Sequence, residues 1–372
     1  MAFFVLLYIL KSHYLDYKEK AILLNLAKKR FRRKLKSKVK TKRKRISNLG
    51  LDPRQRDKNY LLNFKYKDYS KIKAPSNLSM IDEPEKTIAF INKLKDKFTA
   101  GKSVFVVLEH VENIGYDALV VLLSILIRFK SKNIPFTGDF PINPIAKEML
   151  LESGFLDYLY FKIADTERYA INNYGSIKTH AWKKVDSALT SKIIHDASIN
   201  IWNEERRCPG VQKCFIELMH NTNNHADIEI QGGKHWFLSV QNRKKDNKVS
   251  FSFVDFGVGI FESLNNKKDD SKWYNWSTKL KNYFTFNNNA DLLELILKGK
   301  MHETVTGQYY RGKGLPGIYD SLQRKQIANL HIITNDVFAN VEINVFTTIR
   351  NSFSGTFVYW ELDKSNVSLQ GI

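Results

Sequence analysis

The chain has 372 residues and a mass of 43.3 kDa, with 43% hydrophobic and 13% aromatic residues. A chain this long and this apolar buries real cores, so global disorder is excluded and two or three domains are expected. Two cysteines, Cys208 and Cys214, exclude a disulfide framework and a Cys-rich zinc site and read as packing thiols in a reducing cytosol. The net charge of +21 is uneven: residues 1–75 carry +18 and the rest only +3, so the basicity belongs to an N-terminal arm.

Residues 1–10 are apolar but fall well short of the roughly 20 residues that span a bilayer, and they lack the basic start and cleavage site of a signal peptide. Three readings fit them: a strand or helix docked on the body, a partner-binding or self-association segment, or an interfacial membrane anchor. No transmembrane segment is expected. From Lys28 to Arg45, 13 of 18 residues are Lys or Arg, with no acid. Leu23, Leu24, Leu26, Phe31 and Leu35 give the first half of the arm an amphipathic helical pattern. Such a cluster suits nucleic-acid phosphates, read without base specificity; an acidic protein, an anionic membrane surface and a solvated tail are the alternatives. Residues 48–75 read as a linker, which places a basic arm and linker at residues 1–75.

Residues 76–165 read as a small α/β domain. Ile88, Ile91 and Leu94 mark a helix over residues 84–100, and Val104, Val106 and Val107 mark a strand. An apolar helix over residues 116–129, a strand over 134–140 and a helix over 145–153 follow, with Gly154 as the stop. Alternating helices and strands imply a parallel-leaning sheet covered by helices. This order, with Asn113-Ile114-Gly115 between strand and helix, resembles the STAS domain of anti-sigma factor antagonists. That family carries a phosphoacceptor turn of the Asp-Ser-Ser-Gly type. The turn here is Glu112-Asn113-Ile114-Gly115, without a hydroxyl, so the resemblance implies protein docking or scaffolding rather than a phosphorylation switch. Residues 180–201 read as one long helix. His195-Asp196 within it has a faint likeness to a sensor-kinase phosphoacceptor, but the rest of that box is missing.

Three pieces after residue 211 carry the chemistry. In the first, Cys214, Phe215 and Leu218 sit at helical spacing, and Glu217 and Asn221, four apart, share one helix face. An acid and an amide stacked there suit a divalent metal with phosphates and an activated water. In the second, strands at 236–241 and 249–254 flank a turn, and the latter ends in Asp255-x-Gly257-x-Gly259. A carboxylate leaving a strand into a glycine loop can accept from an exocyclic amine. In the third, Gly312-Lys313-Gly314-Leu315-Pro316-Gly317 opens a helix at 318–326. Backbone N–H groups at a helix start make an anion cradle, to which Lys313 adds charge.

In this order the pieces closely resemble the GHKL ATPases, the family of gyrase-type topoisomerases, heat-shock chaperones, histidine kinases and MutL. A fourth element, Ser354-Gly355-Thr356-Phe357, is expected to open a final strand, where the family carries a Gly-Thr beside adenine. The likeness spans about residues 185–363. It implies an α/β fold of the two-layer α+β GHKL (Bergerat) type over residues 166–372. By the resemblance, ATP and Mg²⁺ are the ligands, Glu217 is the general base, Asn221 holds Mg²⁺ and Asp255 binds the adenine amino group. Gly257 and Gly259 shape the adenine loop. Gly312, Lys313, Gly314, Leu315 and Gly317 cradle phosphates, and Thr356 bonds near adenine. Residues 261–310 correspond to a long ATP lid with its own helix at 290–300 and a polar, flexible stretch at 265–270. His225, four after Asn221, matches many histidine kinases and anti-sigma serine kinases. The transducer domain of the DNA-acting members is not found before residue 372, and Pro316 replaces a common glycine.

The expected function is therefore a cytoplasmic, nucleotide-dependent switch that regulates a partner protein or nucleic-acid complex, with peripheral membrane association through the N-terminus as the alternative location. A serine or histidine protein kinase and a non-hydrolysing ATP-binding scaffold are the other functional readings. The family also occurs in prokaryotic defence and stress modules.

Overall fold

The computed structural model describes residues 26, 29, 33, 65–160, 175–180, 186–225, 236–257, 259–261, 288–299 and 314–370. The chain divides into two units, Met1–Asp68 and Tyr69–Ile372. In the first, Leu26, Lys29 and Arg33 of the basic arm are helical and exposed. The rest of that arm, and all of residues 1–10, lie outside the described residues.

The second unit opens with an α/β segment. Its strands β1 (Ser70–Lys73), β3 (Val104–Val107) and β5 (Phe136–Gly138) form a three-stranded parallel sheet in the order β1-β3-β5. A second parallel pair joins β2 (Asn77–Leu78) to β4 (Asn113–Ile114). Helices α1 (Pro84–Thr99), α2 (Tyr116–Ser131), α3 (Pro144–Glu152) and α4 (Phe155–Tyr160) complete it. Parallel pairing needs helical crossovers, and α1 and α2 supply them. Pro144 starts α3 while the Asn143 side chain accepts from the N–H groups of Ile145 and Ala146, at 2.9 and 3.2 Å. The expected helices and strands of this region are present. Strand β1 falls where the sequence reads as linker, because its four residues alternate only once between buried and exposed.

The C-terminal part holds a five-stranded antiparallel sheet in the order β10-β11-β9-β8-β6. Its strands are β6 (Gly175–His180), β8 (Trp236–Arg243), β9 (Lys248–Asp255), β10 (Ala328–Asn340) and β11 (Val345–Asp363). A small pair joins β7 (Arg206–Arg207) to β12 (Leu369–Gln370). Helices α5 (Ser187–Trp202), α6 (Pro209–His225), α7 (Asn289–Leu297) and α8 (Gly314–Gln323) supply the helical layer. His180 therefore ends a strand, and the helix read from residue 180 begins at Ser187, capped by the Asp186 side chain on the Leu189 N–H at 2.8 Å. Ser354-Gly355-Thr356-Phe357 sits inside the 19-residue β11 rather than opening it.

Side chains alternate across the sheet, so each face has its own rungs. One face stacks Leu238, Phe253, Val358 and Ile332, then Val240, Phe251 and Trp360, against Ile193, Phe215, Leu218, Leu293 and Ile318 from α5, α6, α7 and α8. Phe215 lies 5.5 Å from Phe251 and 5.1 Å from Trp360, edge to face. Each buried ring of this kind contributes roughly 2–3 kcal/mol. The opposite face carries Phe237, Val254, Phe357 and Ile333 and packs on Ile88, Ile91 and Leu94 of α1 and on α2. The sheet is thus covered on both faces, three layers where the sequence suggests two. It explains why α2 is apolar nearly all round: it lies between β8 and β9 on one side and β5 and α4 on the other.

Candidate functional site

Helix α6 brings the sequence-singled acid and amide to the start of α8. A methyl group at Gly314, the first residue of α8, would lie 3.3 Å from Nδ2 and 3.4 Å from Oδ1 of Asn221, and 3.4 Å from Oε2 of Glu217. Both side chains are partly buried on the face of α6 that meets α8. Pro316 falls in the first turn of α8, where its missing N–H costs no helical bond. Leu315 packs on the large core, and Gly317 is buried. The Lys213 stem crosses Gly317, since a methyl there would lie 2.5 Å from Lys213 Cε, and the Lys213 Nζ reaches Asp320 at 4.0 Å.

One residue beyond Asn221, the buried Thr222 joins this cluster to the end of β9. Its Oγ1 lies 3.1 Å from the Leu218 carbonyl and 3.4 Å from Asp255 Oδ2. Asp255 is partly buried at the top rung, opposite Trp236 on β8 and Thr356 on β11. Burial pushes its carboxyl up to about 6, against the backbone N–H groups of Gly257 and Thr356 and the Thr222 hydroxyl, which favour the ionised form. The Gly257 N–H donates to Oδ1 at 3.1 Å. Among the described residues, no Lys, Arg or His acts on this carboxylate.

The glycines beside Asp255 are set by close approach. Gly355 has φ +121°, and a Cβ there would lie 2.1 Å from the Asp255 carbonyl oxygen, so only glycine lets β11 run this close to β9. Gly259 has φ +82°, and a Cβ would meet the Asn335 side chain at 2.3 Å. Thr334 and Asn335 of β10 hold the loop that leaves Asp255. Thr334 Oγ1 accepts from the Ile260 N–H at 3.0 Å and donates to the Gly355 carbonyl at 3.1 Å, and Asn335 Oδ1 accepts from the Phe261 N–H at 3.4 Å. Sequence reasoning singled out neither residue, nor Thr222 or Lys213.

The structure therefore brings Glu217 and Asn221 of α6 to Gly314, with Leu315 and Gly317 following in α8, and Thr222 of α6 to Asp255, beside Gly257 and Thr356; Gly259 packs instead on Asn335 of β10. His225 is the last residue of α6; its side chain, and all of Gly312 and Lys313, lie outside the described residues, as does most of the expected lid. Within that lid α7 is present at Asn289–Leu297, close to the expected helix. Among the described residues no group of three His, Cys, Asp or Glu side chains converges as a metal site, and no helix is long and apolar enough to cross a membrane. Cys208 and Cys214 are buried free thiols, with Cys208 pushed up to about 11 by burial. His195 is exposed on α5, its Nδ1 3.6 Å from Glu205. No family model, curated protein or solved structure matches the chain.

Proposed function

We propose that the second unit is a GHKL-type ATPase whose nucleotide state switches how the chain engages a partner. The observation that carries this reading is the convergence of Glu217 and Asn221 on the first residue of α8, with Asp255 linked to the same helix through Thr222. The two ends suit the two ends of a nucleotide. Asp255, in its ionised form, accepts a hydrogen bond from an exocyclic amine. The N-terminus of α8 offers backbone N–H groups and a positive dipole end to phosphates, to which Gly312 and Lys313 of the preceding loop would add.

Magnesium fits the site, because the Asn221 amide oxygen is a hard oxygen ligand at the proposed phosphate end. Asn221 would hold the ion, which would supply positive charge to offset the charge on the transferring phosphoryl group. Glu217 orients a water and takes its proton as the water oxygen attacks the terminal phosphorus and the bond to the leaving ADP oxygen breaks. Presence of this carboxylate favours hydrolysis over a purely structural nucleotide.

The α/β segment, which resembles a STAS domain in element order, is the surface proposed to dock a protein partner. The basic arm is proposed to hold nucleic acid or an acidic partner, and the buried reduced cysteines suit a cytoplasmic setting, in a regulatory, defence or stress system. With about 6–8 phosphate contacts, duplex binding by the intact chain should fall with log salt at a slope near −5 to −7. Deleting residues 1–46 should remove it without changing nucleotide affinity. Hydrolysis is tested with Glu217→Ala. Phosphate release should drop about 10²–10⁴-fold while analogue binding persists; release at the parental rate would make Glu217 a structural residue.

A further inference from the structure

We infer that helix α1 of the N-terminal α/β segment positions the purine end of the proposed nucleotide pocket, with Glu85, Asn92 and Phe256 as the positioning residues. The inference rests on the nucleotide reading and adds a regulatory input to it.

The ladder between β10 and β11 breaks just before the pocket. Phe353 lies opposite Asn335 and Thr348 opposite Val337, so residues 349–352 of β11 face Asp336 alone and bulge out of register. A bulge leaves backbone groups without ladder partners, and those groups must bond elsewhere. Helix α1 supplies the partners. The Glu85 carboxylate accepts from the Arg350 N–H at 2.8 Å and the Asn351 N–H at 3.4 Å, and from Asn351 Nδ2 at 3.2 Å. Two turns along α1, Asn92 Nδ2 donates to the Ser352 carbonyl at 2.8 Å. Hydrogen bonds to an ionised acceptor are the stronger kind.

The clamped bulge leads directly into Phe353, Gly355 and Thr356. Phe353 packs on Phe256 at 5.7 Å between centroids, and Phe256 follows Asp255 in the chain. The α/β segment reaches this ring too: Lys95 Nζ of α1 lies 5.9 Å and the Arg128 guanidinium of α2 6.0 Å from its centroid. Both backbones that flank Asp255, the Phe256–Gly257 turn and the Gly355–Thr356 rung, are thus held from outside the ATPase layer. Gly355 tolerates no slack, since it lies against the Asp255 carbonyl. If the clamp on residues 350–352 loosens, the rung that sets the Asp255 carboxylate loosens with it. A partner that docks on the α/β segment and shifts α1 would act on the pocket by this route.

The test uses the full chain and a non-hydrolysable ATP analogue with Mg²⁺. Calorimetric titration of the parent, Glu85→Gln, Asn92→Ala and Phe256→Leu is paired with thermal unfolding of each free protein. Glu85→Gln should weaken analogue binding about five- to thirtyfold while the thermal midpoint stays within about 4 °C of the parent. Asn92→Ala should weaken it less. A purely structural clamp would lower the midpoint and leave affinity alone, and parental affinity in Glu85→Gln and Phe256→Leu overturns the inference. Should Glu85→Gln fail to fold, hydrogen exchange on the parent decides. The analogue should slow exchange in residues 84–99 and 350–353, and unchanged exchange there overturns the positioning role. If the parent itself binds no analogue, the nucleotide reading falls first, a result distinct from parental binding in the variants.

Discussion

Two carboxylates in the same antiparallel sheet have opposite surroundings. Glu361, on the face of β11 away from α5–α8, meets the Arg243 guanidinium, Lys248 Nζ at 3.4 Å and the Tyr359 hydroxyl, which donates at 2.6 Å. Burial alone would push its carboxyl up; the Tyr359 hydroxyl, Arg243, Asn329 and Lys248 outweigh that and hold it below the usual range. Asp255, on the other face at the far end of β9, is also taken from water but, among the described residues, receives only backbone N–H groups and a distant hydroxyl, and is pushed up to about 6. The sheet is therefore able to neutralise an acid where the fold needs one. At Asp255 it does not, and an acid left short of donors is the one a ligand can satisfy.

The largest effect should come from Glu361. Glu361→Gln leaves Arg243 and Lys248 facing a neutral amide and should destabilise the chain by about 2–3 kcal/mol, because both cations keep partial access to water. Its lowered value makes the native pairing worth most above the ordinary carboxylate range and lost as pH falls through the folded-state value. Denaturant titration at pH 7 and pH 4 should show the gap between parent and variant shrinking at pH 4.

Asp255→Asn should do the reverse. A carboxyl raised from near 4 to about 6 costs stability at neutral pH, in full above pH 6, and progressively less down to pH 4. Removing the charge should stabilise the free protein by about 1–2 kcal/mol at pH 7.5, allowing for its partial access to water, with the gain vanishing near pH 4. Destabilisation at pH 7.5 instead would mean that Asp255 is a structural acid like Glu361. A smaller effect concerns the ligand. If the ionised form accepts from an amine, nucleotide affinity should be flat above pH 7 and fall up to about tenfold per pH unit below 6, read by titration across that range.

The two acids also mark what the sequence makes legible. Asp255 stands at a strand end before a glycine loop, a local pattern, and Glu217 and Asn221 share a helix face by spacing alone. Glu361 reads as an ordinary polar residue of a strand, since its partners Arg243 and Lys248 come from β8 and β9. In the α/β segment α1 was legible through its 3.6-residue periodicity and α2 as an apolar run, while α4, beyond the expected stop at Gly154, was not. Strand β6 was not: its Gly-Ser-Ile-Lys-Thr-His sequence pairs only through β8 and carries little alternation of its own. Nor was the cover that α1 and α2 give the second sheet face, because Ile88, Ile91 and Leu94 announce a buried face without naming its partner. Thr222, Thr334, Asn335 and Glu85 act through contacts across the fold, and no local spacing marks them.

Among the described residues, two backbone N–H groups and one hydroxyl meet the Asp255 carboxylate and no cation does, and a nucleotide base is its proposed partner. Calorimetric titration of the intact chain with a non-hydrolysable ATP analogue and Mg²⁺, parent beside Asp255→Asn, tests it most directly. The parent should bind, and the variant, though more stable when free, should bind roughly tenfold to a hundredfold more weakly, the worth of one charge-assisted hydrogen bond. Equal affinity in a well-folded variant would remove Asp255 from the base-binding site.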